Sequence, residues 1–468
     1  MNLDTITFTD RDIENNGNLQ PVYNPNSRYL NLPYFGKGAH PIVLAAAYPN
    51  LGSSILEEKA CRELHDCGIT HAIMSIGLTN ISSAIDRAAD WNIKTILCHN
   101  HLGPDDNRTL KEQLELCTGL VNTFRNKAGL AGYCIGLPKL SVSPEIAKLF
   151  NGRIVAADPA VEGEVEPGNR HIIQFLLPDA SSYISPSNLS YEDYLKQVEQ
   201  YLRPAVWVVD CDIHTDYYQG WTVIRYQEFF NALATFEMMS RYTNRPFWVK
   251  VRCNTFSPNG SLITPSLGKM RFAALSALGY GAQGIVYSPF RQQTESDGPA
   301  ALSVAGTGTA IWEDIQEVNS TIERFQRVFA GSQLMEVAHT QDISPSSTIG
   351  FIPFDDSPIS ANGSNTPTYY SRLKEPIGPL LNVTGTRRGV QVSHLCCQPT
   401  EGEEDASDFL MIVNHGVESN QIINLELNPF YTVEKVTSAF WGKPIITEPL
   451  TTNRHTLEPG DCLILKWK

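Results

Sequence analysis

The chain has 468 residues, 42% hydrophobic and 18% charged, which describes a globular protein with ample core; a barrel of ~250 residues plus a second unit fits that length. A net charge of −14 argues against nucleic acid and anionic membranes, which need basic patches. No apolar run approaches the ~18 residues of a membrane span, so membrane insertion is not expected.

Residues 1–39 are rich in Asn, Pro and Tyr and read as an extended lead-in. Met1 to Gln20 is polar and acidic, without a secretory leader as written. That fits a cytoplasmic protein if the chain is complete, and an exported one if a leader has been trimmed. From residue 40 to 335, eight apolar or alternating runs begin near Pro41, His71, Lys94, Ala131, His171, Val206, Phe247 and Gly284. The first, His40 to Ala47, is nearly all apolar, as a parallel strand buried on both faces should be.

Helix-period segments separate most of these runs. Ser54 and Glu57 form a capping-box pattern, followed by Leu56, Ala60, Leu64 and Cys67 at helical spacing, with Gly68 closing the helix. Further stripes run through Leu110, Leu114, Cys117, Val121 and Phe124, and through Phe229, Leu233 and Phe236. The last and clearest is Ile311, Ile315, Val318, Ile322, Phe325 and Val328. Eight strands alternating with amphipathic helices predict a (β/α)8 barrel, whose chemistry sits where the strands run out into loops.

Residues 336–388 read as linker, loops and first strands, rich in Ser, Pro, Asn, Gly and Thr. Beyond, residues 389–468 become all-β. Val390–Leu395, Phe409–Val413, Ile422–Leu427, Tyr431–Val436 and Cys462–Trp467 are strand-like runs divided by turn residues, which predicts a small antiparallel sandwich. The ten cysteines form no CxxC pair. Cys61, Cys67, Cys117 and Cys134 fall at apolar positions and are expected to pack as small hydrophobes. The adjacent Cys396 and Cys397 cannot easily share one core from a strand.

The order of these pieces resembles the clan-A glycoside hydrolases, in particular bacterial proteins similar to the family-42 β-galactosidases. Met270 to Tyr287, which contains Leu278-Gly-Tyr-Gly-Ala-Gln-Gly-Ile285, is similar to a helix-then-strand segment of that group. Phe247-Trp248 and Leu457-Glu-Pro-Gly-Asp461 are also similar to it. The resemblance implies a carbohydrate ligand, no cofactor, and an acid/base Glu after the fourth strand with a nucleophile Glu after the seventh. Neither is present. The fourth strand reads Gly132-Tyr-Cys-Ile-Gly-Leu-Pro-Lys139 and the seventh Phe247-Trp-Val-Lys-Val-Arg-Cys-Asn254, both without a carboxylate. Two-carboxylate hydrolysis needs an acid and a carboxylate ~5–9 Å apart, so the family's activity does not carry over.

Other residues are candidates for chemistry. Asp210 and Asp212 lie two apart on the sixth strand and share a face. On the seventh, Phe247, Val249, Val251 and Cys253 alternate with Trp248, Lys250, Arg252 and Asn254. If the polar sides face the axis, two Asp lie beside Lys250 and Arg252. That is either an interior ion-pair layer satisfying buried charge or a sugar-binding floor, with Trp248 as stacking platform and an Asp as acid or base. Glu295 is the best-placed Glu beyond any strand, though a surface loop also accounts for it. Gln174 is either a satisfied core residue or a ligand contact, Tyr287 is a further candidate contact, and Tyr48, Tyr217, Tyr218 and Trp221 follow strands in loops, where aromatics either pack or stack on sugars. His99 and His101 share a face after the third strand. They are either hydrogen-bonding residues of the cleft or two ligands of a metal site of the amidohydrolase kind. No complete metal site is legible, and none is expected.

Three readings follow: a glycoside hydrolase with relocated acids, an inactive glycan-binding pseudoenzyme, and a metal-dependent hydrolase.

Overall fold

The computed structural model describes residues 41–48, 54–75, 80–103, 108–135, 144–158, 171–176, 191–202, 204–210, 215–218, 221–224, 226–243, 245–256, 263–294, 298–342, 371–373, 376–385, 389–397 and 407–467. Eight parallel strands close a barrel: β1 (Val43–Ala47), β2 (His71–Ser75), β3 (Lys94–Cys98), β4 (Leu130–Cys134), β5 (His171–Leu176), β6 (Val206–Val209), β9 (Phe247–Arg252) and β10 (Gly284–Ser288). These are the eight runs that the sequence predicts. A two-stranded hairpin, β7 (Thr215–Tyr218) and β8 (Trp221–Ile224), intervenes between β6 and β9 outside the barrel sheet.

Helices α1 (Ser54–Asp66), α2 (Ile81–Asp90), α3 (Leu110–Phe124), α4 (Pro144–Ala157), α5 (Tyr191–Tyr201), α6 (Tyr226–Thr243), α7 (Leu267–Gly279) and α8 (Ala310–Arg324) alternate with the strands. Thr109 and Glu112 form a reciprocal capping box that starts α3, satisfying two amides that the first helical turn leaves unpaired. Tyr133 and Trp207 face this helix layer; the Tyr133 hydroxyl donates to Asp158 at 2.6 Å and the Trp207 indole N–H to Thr243 at 3.0 Å. A short helix, α9 (Gln326–Gly331), leads out of the barrel.

The β domain has two sheets. One holds six strands in the order β11 (Ser332–His339), β15 (Val390–Cys397), β16 (Ser407–Asn414), β21 (Cys462–Trp467), β18 (Val433–Ser438), β19 (Ile446–Pro449). The other holds β12 (Gln341–Asp342), β13 (Ser371–Arg372), β14 (Leu380–Gly385), β17 (Gln421–Leu427) and β20 (Arg454–Leu457). The first strand, β11, straddles the boundary at 335/336 expected between barrel and linker. The apolar run Phe409–Val413 has a simple cause, because β16 is buried on both faces. Phe409, Met411 and Val413 join the core shared with the barrel, whereas Leu410 and Ile412 pack on the second sheet. On β15, Cys397 is buried and Cys396 only partly so, as strand alternation requires.

The barrel and β domain meet along α7, where every residue from Met270 to Gly279 is buried. The backbones approach so closely that a Cβ added to Gly268 would lie 2.0 Å from the Val417 carbonyl oxygen. One on Gly460 (φ +65°) would lie 2.1 Å from the Gly268 carbonyl oxygen. Deeper in this seam, the Tyr280 hydroxyl lies 2.8 Å from His339 Nε2, and His339 Nδ1 lies 3.2 Å from His415 Nε2. A consistent proton assignment has the phenol donating to His339 and Nδ1–H of His339 donating to His415, both rings neutral. Phe230 and Phe272 pack against these rings. Among the described residues no helix is long and apolar enough to cross a membrane.

Candidate functional site

The register of β6 with β9 pairs Val208 with Trp248 and Val209 with Val249, which brings Asp210 level with Lys250. Both side chains point into the barrel, and Lys250 Nζ donates to Asp210 Oδ1 at 2.6 Å. The two side chains keep only 16% and 14% of their exposure, so the pair is largely withdrawn from water. Among the described residues that end the eight strands, Asp210 is the one carboxylate. β4 and β9, the fourth and seventh barrel strands, end without one.

Tyr48 closes this layer from the end of β1. Its φ of 57° lies in the left-handed region, which a bulky residue adopts only when its surroundings hold it there. Its half-buried side chain packs on the apolar interior formed by Ala45, Ala47, Ile73, Cys98, Cys134 and Val286. Burial above all, then the nearby Cys98, Cys134 and Asp210, push the phenol far above its ordinary value. Tyr48 therefore stays protonated, hydrogen-bonded to Cys98 with Asp210 nearby. In the sequence this residue stands out only as an aromatic after a strand; Cys98 and Cys134 carry no signal beyond their alternation with inward-facing neighbours.

His99 and His101 follow β3 with their rings edge to face, centroids 4.5 Å apart. The His101 backbone N–H donates to His99 Nδ1 at 3.0 Å, which places the His99 proton on Nε2. Burial, then the neighbouring His101, lower the His99 pKa to about 4, so the ring is a neutral donor at pH 7. Among the described residues, no three His, Cys, Asp or Glu side chains gather in a set that could hold a metal ion.

The remaining candidates separate. Arg252 is half-buried above the Phe256 ring, 4.4 Å from its centroid. Asn254 donates from Nδ2 to the Thr255 carbonyl at 2.9 Å, and its buried Oδ1 has no hydrogen-bond partner. Trp248 does face the axis, but it is no open platform. It sits on the barrel floor at 2% exposure, against Gly284, where a Cβ would lie 2.6 Å from the indole. A ring so covered has no free face for a sugar. Tyr287 points the other way, into the helix layer, where its hydroxyl donates to Asn319 Oδ1 at 2.7 Å. Because Gly284 and Val286 share its strand and line the interior, alternation sends Tyr287 outward. Asp212, Glu295 and the side chain of Gln174 lie outside the described residues, as do Trp221, Tyr217 and Tyr218 as side chains.

The fold is thus an eight-stranded barrel followed by a two-sheet β domain, with a polar layer at the C-terminal strand ends. No protein-family model matches the sequence, and no curated protein matches it either. Solved structures do match. The chain is similar to a β-galactosidase from Bacillus circulans sp. alkalophilus, at 9% identity over 92% of this chain and 99% of that one, with a TM-score of 0.57. It is also similar to a family-42 β-galactosidase from G. stearothermophilus, at 8% identity over 91% and 98% of the two chains, with a TM-score of 0.51. Against the β-galactosidase from the psychrophilic Marinomonas ef1 the match is 12% identical, has a TM-score of 0.44, and spans 60% of this chain and 59% of that one. At such identities the likeness establishes the fold alone.

Proposed function

We propose that the barrel mouth binds a carbohydrate and does not hydrolyse it by the two-carboxylate route. The observation that carries this reading is the Lys250–Asp210 pair, a linked cation and carboxylate inside the mouth of a barrel whose fourth and seventh strands end without an acid. Carbohydrates present closely spaced hydroxyls that both donate and accept. Asp210 supplies an acceptor, while Lys250 supplies donors, and the Tyr48 ring lies beside them. The β-galactosidases with which the chain shares its fold act on glycosides at a barrel of this kind, which supports the ligand class.

At the two inherited places, after the fourth and seventh strands, the sequence supplies no carboxylate. General acid–base assistance is worth roughly 10²–10⁴-fold, and without a nucleophile at the inherited place the usual double displacement is closed there. Glycan-array binding measured beside a reducing-sugar release screen tests the proposal. Bound oligosaccharide is expected, weakened about tenfold or more by Asp210→Asn, with aryl-β-galactoside turnover at background; the tenfold corresponds to ~1.4 kcal/mol, one charged hydrogen bond. Brisk turnover would overturn the proposal. Turnover lost on Asp210→Asn would favour relocated acids, and turnover lost with chelator and on His101→Ala would favour a metal-dependent hydrolase.

A further inference from the structure

We propose that the cleft between α7–α8 and the β domain is a second binding site, for a small polyhydroxylated acid of the sugar-carboxylate class, anchored by Arg324. The cleft encloses about 550 Å³ and is walled by helices of the barrel on one side and by β18, β20 and β21 on the other. That volume falls within the roughly 300–1,000 Å³ of small-molecule pockets and is far larger than one inorganic anion needs.

The charge pattern selects the ligand. Arg271 is fixed in place, with its side chain only 8% exposed; one guanidinium nitrogen donates to Glu458 at 2.9 Å and another pairs with Glu317. Lys435 is paired with Glu448 at 3.3 Å. Arg324, in the last turn of α8, differs. Its guanidinium takes no hydrogen bond or ion pair among the described residues, although it lies near enough to Asp461 to act on its charge. An unpaired guanidinium at the wall of a cleft is a ready partner for a carboxylate, which it meets with two parallel N–H donors.

A bare anion would nonetheless be a poor occupant, because Glu317, Glu458 and Asp461 share the lining. These acceptors repel a simple anion and are satisfied by hydroxyl donors. Burial raises the pKa of Asp461. One anionic group for Arg324 and several hydroxyls for the acids is the combination the lining fits. The site does not depend on the reading of the barrel mouth, since it shares none of its residues.

Titration calorimetry with D-glucuronate, D-glucose and inorganic sulfate tests the assignment on the full chain. Glucuronate is expected to bind, with glucose and sulfate each at least tenfold weaker. Arg324→Gln should cost tenfold or more, and Arg324→Lys should retain part of the affinity. An unaltered unfolding midpoint in Arg324→Gln excludes misfolding as the cause, and Arg324→Lys decides the matter if that variant is unstable. Absence of glucuronate binding, or indifference to both Arg324 variants, would overturn the site. Sulfate binding as tightly as glucuronate would overturn the ligand class.

Discussion

The barrel interior and the seam beneath α7 both bury polar side chains, and they solve the desolvation problem in opposite ways. In the barrel, Lys250 and Asp210 pair with each other across adjacent strands. In the seam, Tyr280, His339 and His415 form a chain of neutral groups walled by Phe230 and Phe272. A buried ion pair is costly to break and tolerant of pH near neutrality, whereas neutral imidazoles are cheap to bury and exposed to acid. The difference teaches that the mouth is built to present charge and the seam to exclude it.

Acid should separate the two most strongly. Burial lowers the His339 pKa to about 3, and burial followed by the adjacent His339 lowers that of His415. The unfolded chain takes up these protons near pH 6.5 and the folded chain does not. The stabilising contribution of the neutral seam is therefore complete above about pH 6.5 and is lost as the pH falls toward 3. His339 alone accounts for about 3 kcal/mol at pH 4, and His415 adds in the same direction. Urea midpoints at pH 8, 6 and 4 should fall accordingly, and the fall should be shallower in His339→Gln. An identical slope in that variant would mean that the acid sensitivity lies elsewhere.

Breaking the ion pair comes next. Lys250→Met removes one partner of a largely buried ion pair, at a cost of about 3 kcal/mol. The double variant Lys250→Met with Asp210→Asn should recover most of that loss in chemical denaturation, and additive losses would show that the pair is not coupled. The smallest effect belongs to the barrel floor. Gly284→Ala drives a methyl group to within 2.6 Å of the Trp248 indole and should cost about 1–2 kcal/mol by overpacking. Near-native affinity for a glycan in that variant would keep the floor and the mouth distinct; loss of binding at unchanged stability would return Trp248 to the site.

Much of this contrast was within reach of the sequence, and the remainder was not, for physical reasons. The eight strands are legible because parallel strands under helices are apolar on both faces, and Lys250 and Asp210 are legible because a charge inside such a run needs a partner. Alternation reports which side of the sheet a residue faces but not its depth along the axis. Trp248 enters the barrel as expected and still fails as a platform, because the second residue of a strand lies on the floor. Tyr287, a candidate ligand contact in the sequence, faces outward, as its alternation with Gly284 and Val286 implies. His339 and His415 are silent, since they are 76 residues apart and no local pattern joins them. The strained backbone at Tyr48 is likewise invisible, because nothing about a tyrosine announces a positive φ.

The closeness of Gly268 to Val417 and of Gly460 to Gly268 bears on how far this chain is modular. Helix α7 completes the barrel's outer ring, yet the β domain covers its other side, so it has no solvent face of its own from Met270 onward. A barrel severed after Gly331 would carry an apolar flank of the kind that drives aggregation, and the β domain would lose the partner for Phe409, Met411 and Val413. Two units that read as separable along the sequence are, in their chemistry, halves of one solubility problem.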